Sequence, residues 1–217
     1  MKKIVGVTLL STLLLSSVGF SSQAFAVPVT STPTNAEVEY TSGDGPGIIE
    51  EDDKDPNTGK DVLGTGLPKN LYFGSHKITK NEETYQAHDK TSKIATTGKL
   101  KIDDARGDGT GWHIKVAQTG QFANGSSTLD NAKLSITTGA IDNLGGLKPS
   151  VGAGQVVELH GDPKDEKVIF AANAGEGNGS SSLALDRFDL DVAAGVEKIK
   201  GSYTAQLTWT VTDTPMK

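Results

Sequence analysis

The residues with the most evident capacity for chemistry are three aspartates that surround an arginine near the C-terminal end of the chain. Asp186, Asp189 and Asp191 flank Arg187 in one short segment. A pair of carboxylates placed across a cleft is what a glycosidase needs for acid and base catalysis. However, Asp189 and Asp191 would share one face of a strand, and the sequence shows no second segment that brings an acid into a buried cleft. We therefore expect Arg187 to pair with a neighbouring carboxylate at a sheet edge.

The histidines show no pattern that is typical of a metal site. They lie in four separate segments, and no two have the spacing of neighbouring ligands on one strand or helix: His76, His88, His113 and His160. Asp53, Asp55 and Asn57 resemble the start of a calcium loop, but Pro56 interrupts it and Thr58 stands where glycine is required. The chain has no cysteine, no serine-nucleophile signature and no phosphate-binding loop. We expect no metal, no cofactor and no enzyme activity.

Two alternating segments must position any functional surface of this chain. The first covers residues 201–211 and has an apolar side chain at every second position, with threonine and glutamine between them. The second covers residues 111–118 and places Trp112, Ile114 and Val116 on one side. Such alternation predicts half-buried β-strands. Both tryptophans of the protein therefore lie at strand positions that should point inward.

These segments resemble the pair of tryptophan-any-leucine motifs of the WxL family, which consists of surface proteins of Gram-positive bacteria. The corresponding residues are Trp112-His113-Ile114 and Trp209-Thr210-Val211, with Ile114 and Val211 where leucine is usual. The match runs from about Leu67 to Pro215 and includes residues 67–78, 118–122 and 185–188. The resemblance implies that the six motif residues form a cell-wall-binding motif. It also implies non-covalent association with peptidoglycan and, in some members, complexes with other surface proteins encoded alongside.

The role of the two tryptophans has two interpretations. Exposed rings would be flat platforms on which sugar rings stack. Buried rings would be part of the core, and their alternation with aliphatic residues favours this interpretation. In that case the outward-facing neighbours become candidate ligand contacts: His113, Lys115, Thr208 and Thr210.

The first 26 residues have the organisation of a cleavable secretory signal peptide. Lys2 and Lys3 precede an apolar run from Ile4 to Phe20, and Ala24-Phe25-Ala26 supplies the small residues of a cleavage site. The mature chain contains no predicted transmembrane segment, no sortase motif and no lipoprotein cysteine. We expect a secreted protein that is held at the cell wall or cell surface without a covalent anchor.

Residues 27–66 differ in composition from the sequence that follows. They are rich in threonine, serine, proline and glycine and carry an acidic run at residues 50–55, which predicts a flexible linker. Within it, Ala36 to Tyr40 alternates well enough for a short strand that would add to an edge of the domain or of a partner. We expect this acidic linker to be dispensable for folding and a WxL-like β domain to cover residues 67–217.

From residue 67 onward, short alternating segments are separated by turn residues, and no helical period interrupts them. About eight or nine such strands predict an all-β fold, an antiparallel β-sandwich or barrel. A turn-rich stretch at residues 161–165 predicts a hairpin-like connection between two of the strands. Because there is no cysteine, burial must stabilise this fold.

The formal net charge of −6 argues against nucleic acid as a partner and against bulk attraction to the anionic polymers of a bacterial envelope. Any wall binding must then depend on local contacts. We expect a secreted surface protein that its WxL-like domain holds on peptidoglycan. The alternative is a subunit of a cell-surface complex that binds other surface proteins or host extracellular matrix.

Overall fold

The computed structural model describes residues 28–41 and 67–216. Within these residues the chain forms twelve β-strands and no helix, and therefore no helix that could cross a membrane. The expected signal peptide, most of the expected linker and Lys217 lie outside the described residues. The strands are β1 (Pro28–Thr41), β2 (Asn70–Lys77), β3 (Glu83–Gln86), β4 (Gly98–Asp104), β5 (Trp112–Gln118), β6 (Ala123–Asn124), β7 (Ser127–Thr128), β8 (Lys133–Leu144), β9 (Val156–Leu159), β10 (Lys167–Ala172), β11 (Gly179–Val192) and β12 (Gly201–Thr212).

These strands form two sheets that pack around one core. We call them sheet A, with the order β10-β5-β12-β1-β2, and sheet B, with the order β3-β11-β8-β9. The short β6 and β7 continue sheet A beside β12, and β4 pairs with β11 in sheet B. Strand pairs are antiparallel except for the parallel pair β1–β2. The expected all-β fold is confirmed, with more strands in the described residues than the sequence predicts.

Alternation of buried and exposed side chains explains how the strands pack. Along β12 every second side chain from Tyr203 to Val211 is buried, and the threonines and glutamine between them face outward. β11 alternates in the same way, except where an irregularity in its pairing with β8 places Asp186 and Arg187 at consecutive exposed positions. The inward side chains of both sheets form the core, and its largest members are Trp112, Trp209, Tyr203, Phe73, Phe122, Phe170 and Phe188.

β1 corrects the expectation of a linker over residues 27–66. Residues 28–41 form a strand inside sheet A, between β12 and β2, and not at an edge. Ala36 and Val38 are fully buried, and Thr34 is buried as well. These three inward side chains are small, so this part of the strand lacks the large apolar residues that mark a core strand in a sequence. The rest of the expected linker, residues 42–66, lies outside the described residues.

The connection at residues 161–165 also differs from the expectation. Its local chemistry is that of a turn, because Gly161 has a φ of +72° and the Asp165 amide donates to the Asp162 carbonyl. However, β9 before it pairs with β8 in sheet B, and β10 after it pairs with β5 in sheet A. The segment therefore carries the chain from one sheet to the other, since β9 pairs with the strand directly before it and β10 pairs with β5, much earlier in the sequence.

Deletion of β1 should destabilise the domain strongly. Without residues 28–41, β12 and β2 become two unpaired edges, and the core loses Ala36 and Val38. We expect the melting temperature, followed by circular dichroism, to fall by more than about 10 °C, or the cooperative transition to disappear.

A deletion of the same length within residues 42–66, such as residues 46–59, is the matched control for the 14 residues of β1. This control should leave the melting temperature nearly unchanged. Equal melting temperatures for the parent and the β1 deletion would show that β1 is not an integral strand.

Candidate functional site

The two tryptophan motifs lie side by side in sheet A. β5 and β12 are antiparallel neighbours, with Val116 opposite Trp209 and Ile114 opposite Val211. Trp112 is the first residue of β5, directly beyond the last paired position. The fold thus brings together two segments that lie far apart in the sequence, and one strand pair carries both motifs.

Both indole rings are buried in the core. Trp112 and Trp209 are each 1% exposed, and Phe170 packs edge-on against Trp112 with ring centroids 4.8 Å apart. The Nε1–H of Trp209 donates to Thr34 Oγ1 at 2.8 Å, and the Nε1–H of Trp112 donates to the Gly177 carbonyl at 3.3 Å. Full burial of an indole is tolerated because its N–H has an acceptor. Neither ring is available as a platform for a sugar.

A glycine-rich loop closes over Trp112 at one end of the core. Gly177 has a φ of +75°, and a Cβ at this position would lie 2.7 Å from Trp112 Nε1. Only glycine fits so close a contact in this backbone conformation. The Glu176 carboxylate fixes the loop by accepting the backbone N–H groups of Ser150 and Asn173, both at 3.0 Å. The hydrogen bond to Trp112 therefore depends on a loop that is itself held by a carboxylate.

The other four motif residues divide between the two faces of sheet A. Ile114 and Val211 are buried, so each fills the core as an aliphatic residue should. Thr210 faces outward and is half-buried. His113 also faces outward, but it is only 9% exposed, and its Nδ1 lies 2.7 Å from the Thr214 carbonyl. His113 is therefore largely covered and less open to a ligand than the sequence predicts.

The outward side chains of β12 and β5 form a polar surface that we call the threonine face. It consists of Thr204, Gln206, Thr208 and Thr210 on β12 together with Lys115 on β5. Successive side chains on this face of β12 are about 7 Å apart. Lys115 lies opposite Thr210, and its Nζ is 3.2 Å from Glu166 Oε2, so a neighbouring carboxylate balances the one cation in this set of side chains. An array of hydroxyl and amide groups of this kind can donate and accept hydrogen bonds along a polar polymer.

Arg106 belongs to this region, although no motif in the sequence marks it. Its guanidinium donates to the Asp104 carboxylate, to the Gly111 carbonyl directly before β5 and to the Asp213 carbonyl directly after β12. Side-chain hydrogen bonds from Arg106 hold the pKa of the Asp104 carboxyl below its ordinary value, although burial opposes this effect. The arginine thus ties together the ends of both motif strands. Its only sequence signal is an aspartate- and glycine-rich loop, which does not show which carbonyls Arg106 reaches.

Other side chains that might have supplied chemistry make contacts on the outer face of sheet B. Arg187 pairs with Asp189 at 2.7 Å, as expected, although β11 is a central strand and not an edge. Asp191 accepts a hydrogen bond from Thr84 and lies 3.4 Å from Lys133. Among the described residues, no group of three or more histidines, aspartates or glutamates is arranged to hold a metal ion. The calcium-like stretch lies outside those residues.

Comparison with known proteins gives a family match over nearly the whole chain. A family model described as "WxL domain surface cell wall-binding" matches residues 16–215. No curated protein and no solved structure matches the chain. The matched region includes both tryptophan motifs and also β1, which agrees with the inclusion of β1 in sheet A.

Replacement of either tryptophan by alanine should lower the free energy of unfolding by about 3–5 kcal/mol, because it leaves a large cavity in the core. Denaturant unfolding followed by circular dichroism measures this loss. Thr204→Ala on the threonine face is the control and should change stability by less than about 0.5 kcal/mol. A Trp209→Ala protein that unfolds like the parent would show that the ring is not a core element.

The Asp104–Arg106 pair predicts a dependence of stability on pH. The pKa of Asp104 is lowered in the folded state, so its contribution is fully present above its ordinary value of about 3.9 and is lost as the pH falls through the folded value. Asp104→Asn removes the charge at every pH. We expect the stability difference between the parent and Asp104→Asn to be largest near pH 7 and to shrink below pH ~4. Urea unfolding of both proteins across this range measures it, and a difference that does not change with pH would contradict the assignment.

Proposed function

The chain belongs to the WxL domain family, and from this premise we propose that it is exported and held on the cell wall without a covalent bond, through contact with peptidoglycan. Family membership makes it a surface domain that binds the cell wall. The peptidoglycan ligand and the secretion of the chain are our proposal. They are supported by the signal-like first 26 residues and by the polar surface on the motif strands.

One observation carries the choice of binding surface. Trp112 and Trp209 are buried and hydrogen-bonded inside the core, so they cannot contact a polymer directly. A ligand that recognises these strands must then meet their outward side chains. Thr208 and Thr210 lie at the centre of that surface, and both are only half-buried. We therefore assign peptidoglycan contact to the threonine face, with the tryptophans holding its strands in place from beneath.

The chemistry of this face suits a polymer of sugars and short peptides. Peptidoglycan offers hydroxyl, amide and carboxylate groups, and hydroxyl and amide side chains can match the first two as both donors and acceptors. The negative net charge of the chain, −6, gives no general attraction to an anionic envelope. A face on which hydroxyl and amide groups predominate makes binding depend on local hydrogen bonds, which are weakened little by salt.

We propose binding without catalysis. The carboxylates that the sequence singles out, Asp189 and Asp191, are engaged by Arg187 and Lys133 on an open sheet surface. An open surface supplies neither the water-excluded cleft nor the second opposed acid of a glycosidase. The proposal is that the domain holds the wall polymer and leaves it unchanged.

A second candidate function is favoured by two exposed leucines. Leu144, the last residue of β8, is 80% exposed, and Leu147 in the loop that follows is 70% exposed. Exposed apolar side chains close together in sequence are typical of a protein contact. They support the alternative that the chain is a subunit of a surface complex, in contact with other surface proteins or with host extracellular matrix.

Binding to purified sacculi tests the first proposal. The double change Thr208→Gln and Thr210→Gln enlarges two side chains at the centre of the threonine face without adding charge. Loss of two hydrogen bonds and of shape complementarity should weaken sacculus binding roughly tenfold or more. The double change Thr137→Gln and Ser182→Gln on the outer face of sheet B is the matched control and should leave binding unchanged.

Thermal melts of the same proteins separate lost binding from lost folding. If the threonine-face variant stays folded and still binds sacculi like the parent, peptidoglycan is not held by this face. If the parent itself fails to bind sacculi, while Leu144→Ser and Leu147→Ser abolish capture of a surface protein that the parent binds, the second candidate function is correct.

A further inference from the structure

β1 lies between β12 and β2 in sheet A, and we call the space between these two strands the slot. It pairs with β12 from Pro28–Thr212 to Tyr40–Gly201 and with β2 from Asn35–Asn70 to Thr41–Lys77. Backbone hydrogen bonds on both sides supply most of its attachment, and they do not depend on the side chains of β1. Among the β1 side chains that the structure describes, those that enter the core are small, namely Thr34, Ala36 and Val38. These three side chains can leave and enter the slot without moving a large group through the core.

The connection from β1 to β2 is longer than the fold requires. Since Thr41 lies beside Lys77 and Asn35 lies beside Asn70, the chain must return by about six strand residues, or ~20 Å. It has 28 residues, 42–69, in which to do so, and the 25 of them that lie outside the described residues, 42–66, could span up to ~85 Å when extended. A crossover between parallel strands needs only about a dozen residues. The excess length is enough for β1 to reach the slot of a neighbouring molecule.

We propose that β1 is an exchangeable strand, and that the slot between β12 and β2 accepts the β1 of a second copy of this chain. Every copy carries both the strand and the slot, so the fit already seen within one chain is reproduced between two. The incoming strand would form the same register with β12, and its Thr34 hydroxyl would accept the same hydrogen bond from Trp209. This is domain exchange of an N-terminal strand.

The protein concentration determines whether β1 lies in the slot of its own chain or in that of a second copy. The contacts of β1 are the same in its own slot and in that of a second copy, so their relative populations depend on the concentration of each slot around the strand. A flexible connection of this kind gives the strand's own slot an effective concentration in the millimolar range. Dilute chains should keep β1 in their own slot. Chains folding together near millimolar concentration should exchange it in about half of the molecules, and in several-fold fewer at about 100 μM.

Engineered thiols provide a direct test, because the chain has no cysteine of its own. Asn35 and Gln206 lie opposite each other on β1 and β12, and both side chains are exposed. One protein, from residue 27 onward, carries Asn35→Cys, and a second of different mass carries Gln206→Cys. The two are unfolded, mixed, refolded over a range of concentrations and treated with a short bis-maleimide. We expect a cross-linked heterodimer whose yield rises with protein concentration.

Two controls make each outcome decisive. In the first, Gln206→Cys is replaced by Val156→Cys, an exposed position on β9 in the other sheet, and the yield should be at least tenfold lower near millimolar concentration. In the second, one chain carries both Asn35→Cys and Gln206→Cys and should cross-link within itself at any dilution. If this chain cross-links internally but the separate chains give no more heterodimer than the Val156→Cys control, strand exchange is ruled out. If the doubly changed chain fails to cross-link as well, the register that the proposal needs is wrong.

Discussion

The hydrogen bond from the Trp209 indole to Thr34 Oγ1 is the interaction on which the arrangement of sheet A depends. A large ring at the centre of the sheet can be buried completely only if its N–H finds an acceptor, since an unpaired buried donor would cost about 1–3 kcal/mol. The acceptor does not come from β12 itself. It is the hydroxyl of Thr34 on β1, which lies opposite Leu207. The strand is therefore a requirement of the core as well as an addition to the sheet. Its presence places β12 inside sheet A, paired along both sides.

Burial of the tryptophans changes what the paired motif means for function. An aromatic motif in a wall-binding domain suggests stacking on sugars, but here the rings face the interior, and so do Ile114 and Val211. The motif specifies the packing of two neighbouring strands. The outward positions of the same strands take no part in this packing, and on β12 they carry threonine and glutamine. Selection for a buried pattern and for a binding surface can thus act on alternate residues of one strand with little conflict.

The parts of this fold that the sequence predicts are those with strong local signals. β12 and β5 alternate over their whole length with large apolar residues, and the structure confirms both strands and their inward faces. The sequence of β1 does not mark it as a core strand, because Thr34, Ala36 and Val38 are small and its two proline residues are typical of a linker. The connection between β9 and β10 has the chemistry of a hairpin, yet β9 pairs with β8 in sheet B and β10 pairs with the distant β5 in sheet A. The bonds that Arg106 makes to two carbonyls cannot be read from any local pattern, because they depend on where the strand ends meet.

The position of β1 beside β12 also determines the order in which the molecule can be completed. The bond between Thr34 and Trp209 joins residues 175 positions apart, so the middle of sheet A pairs the first described strand with the last. Closing so long a loop is entropically costly, and folds with many such contacts fold slowly. A chain delivered from its N-terminus to its C-terminus can assemble sheet B and part of sheet A early. The last step of folding must wait for β12, and until then β1 and β2 have unpaired backbone edges that other extended segments can join.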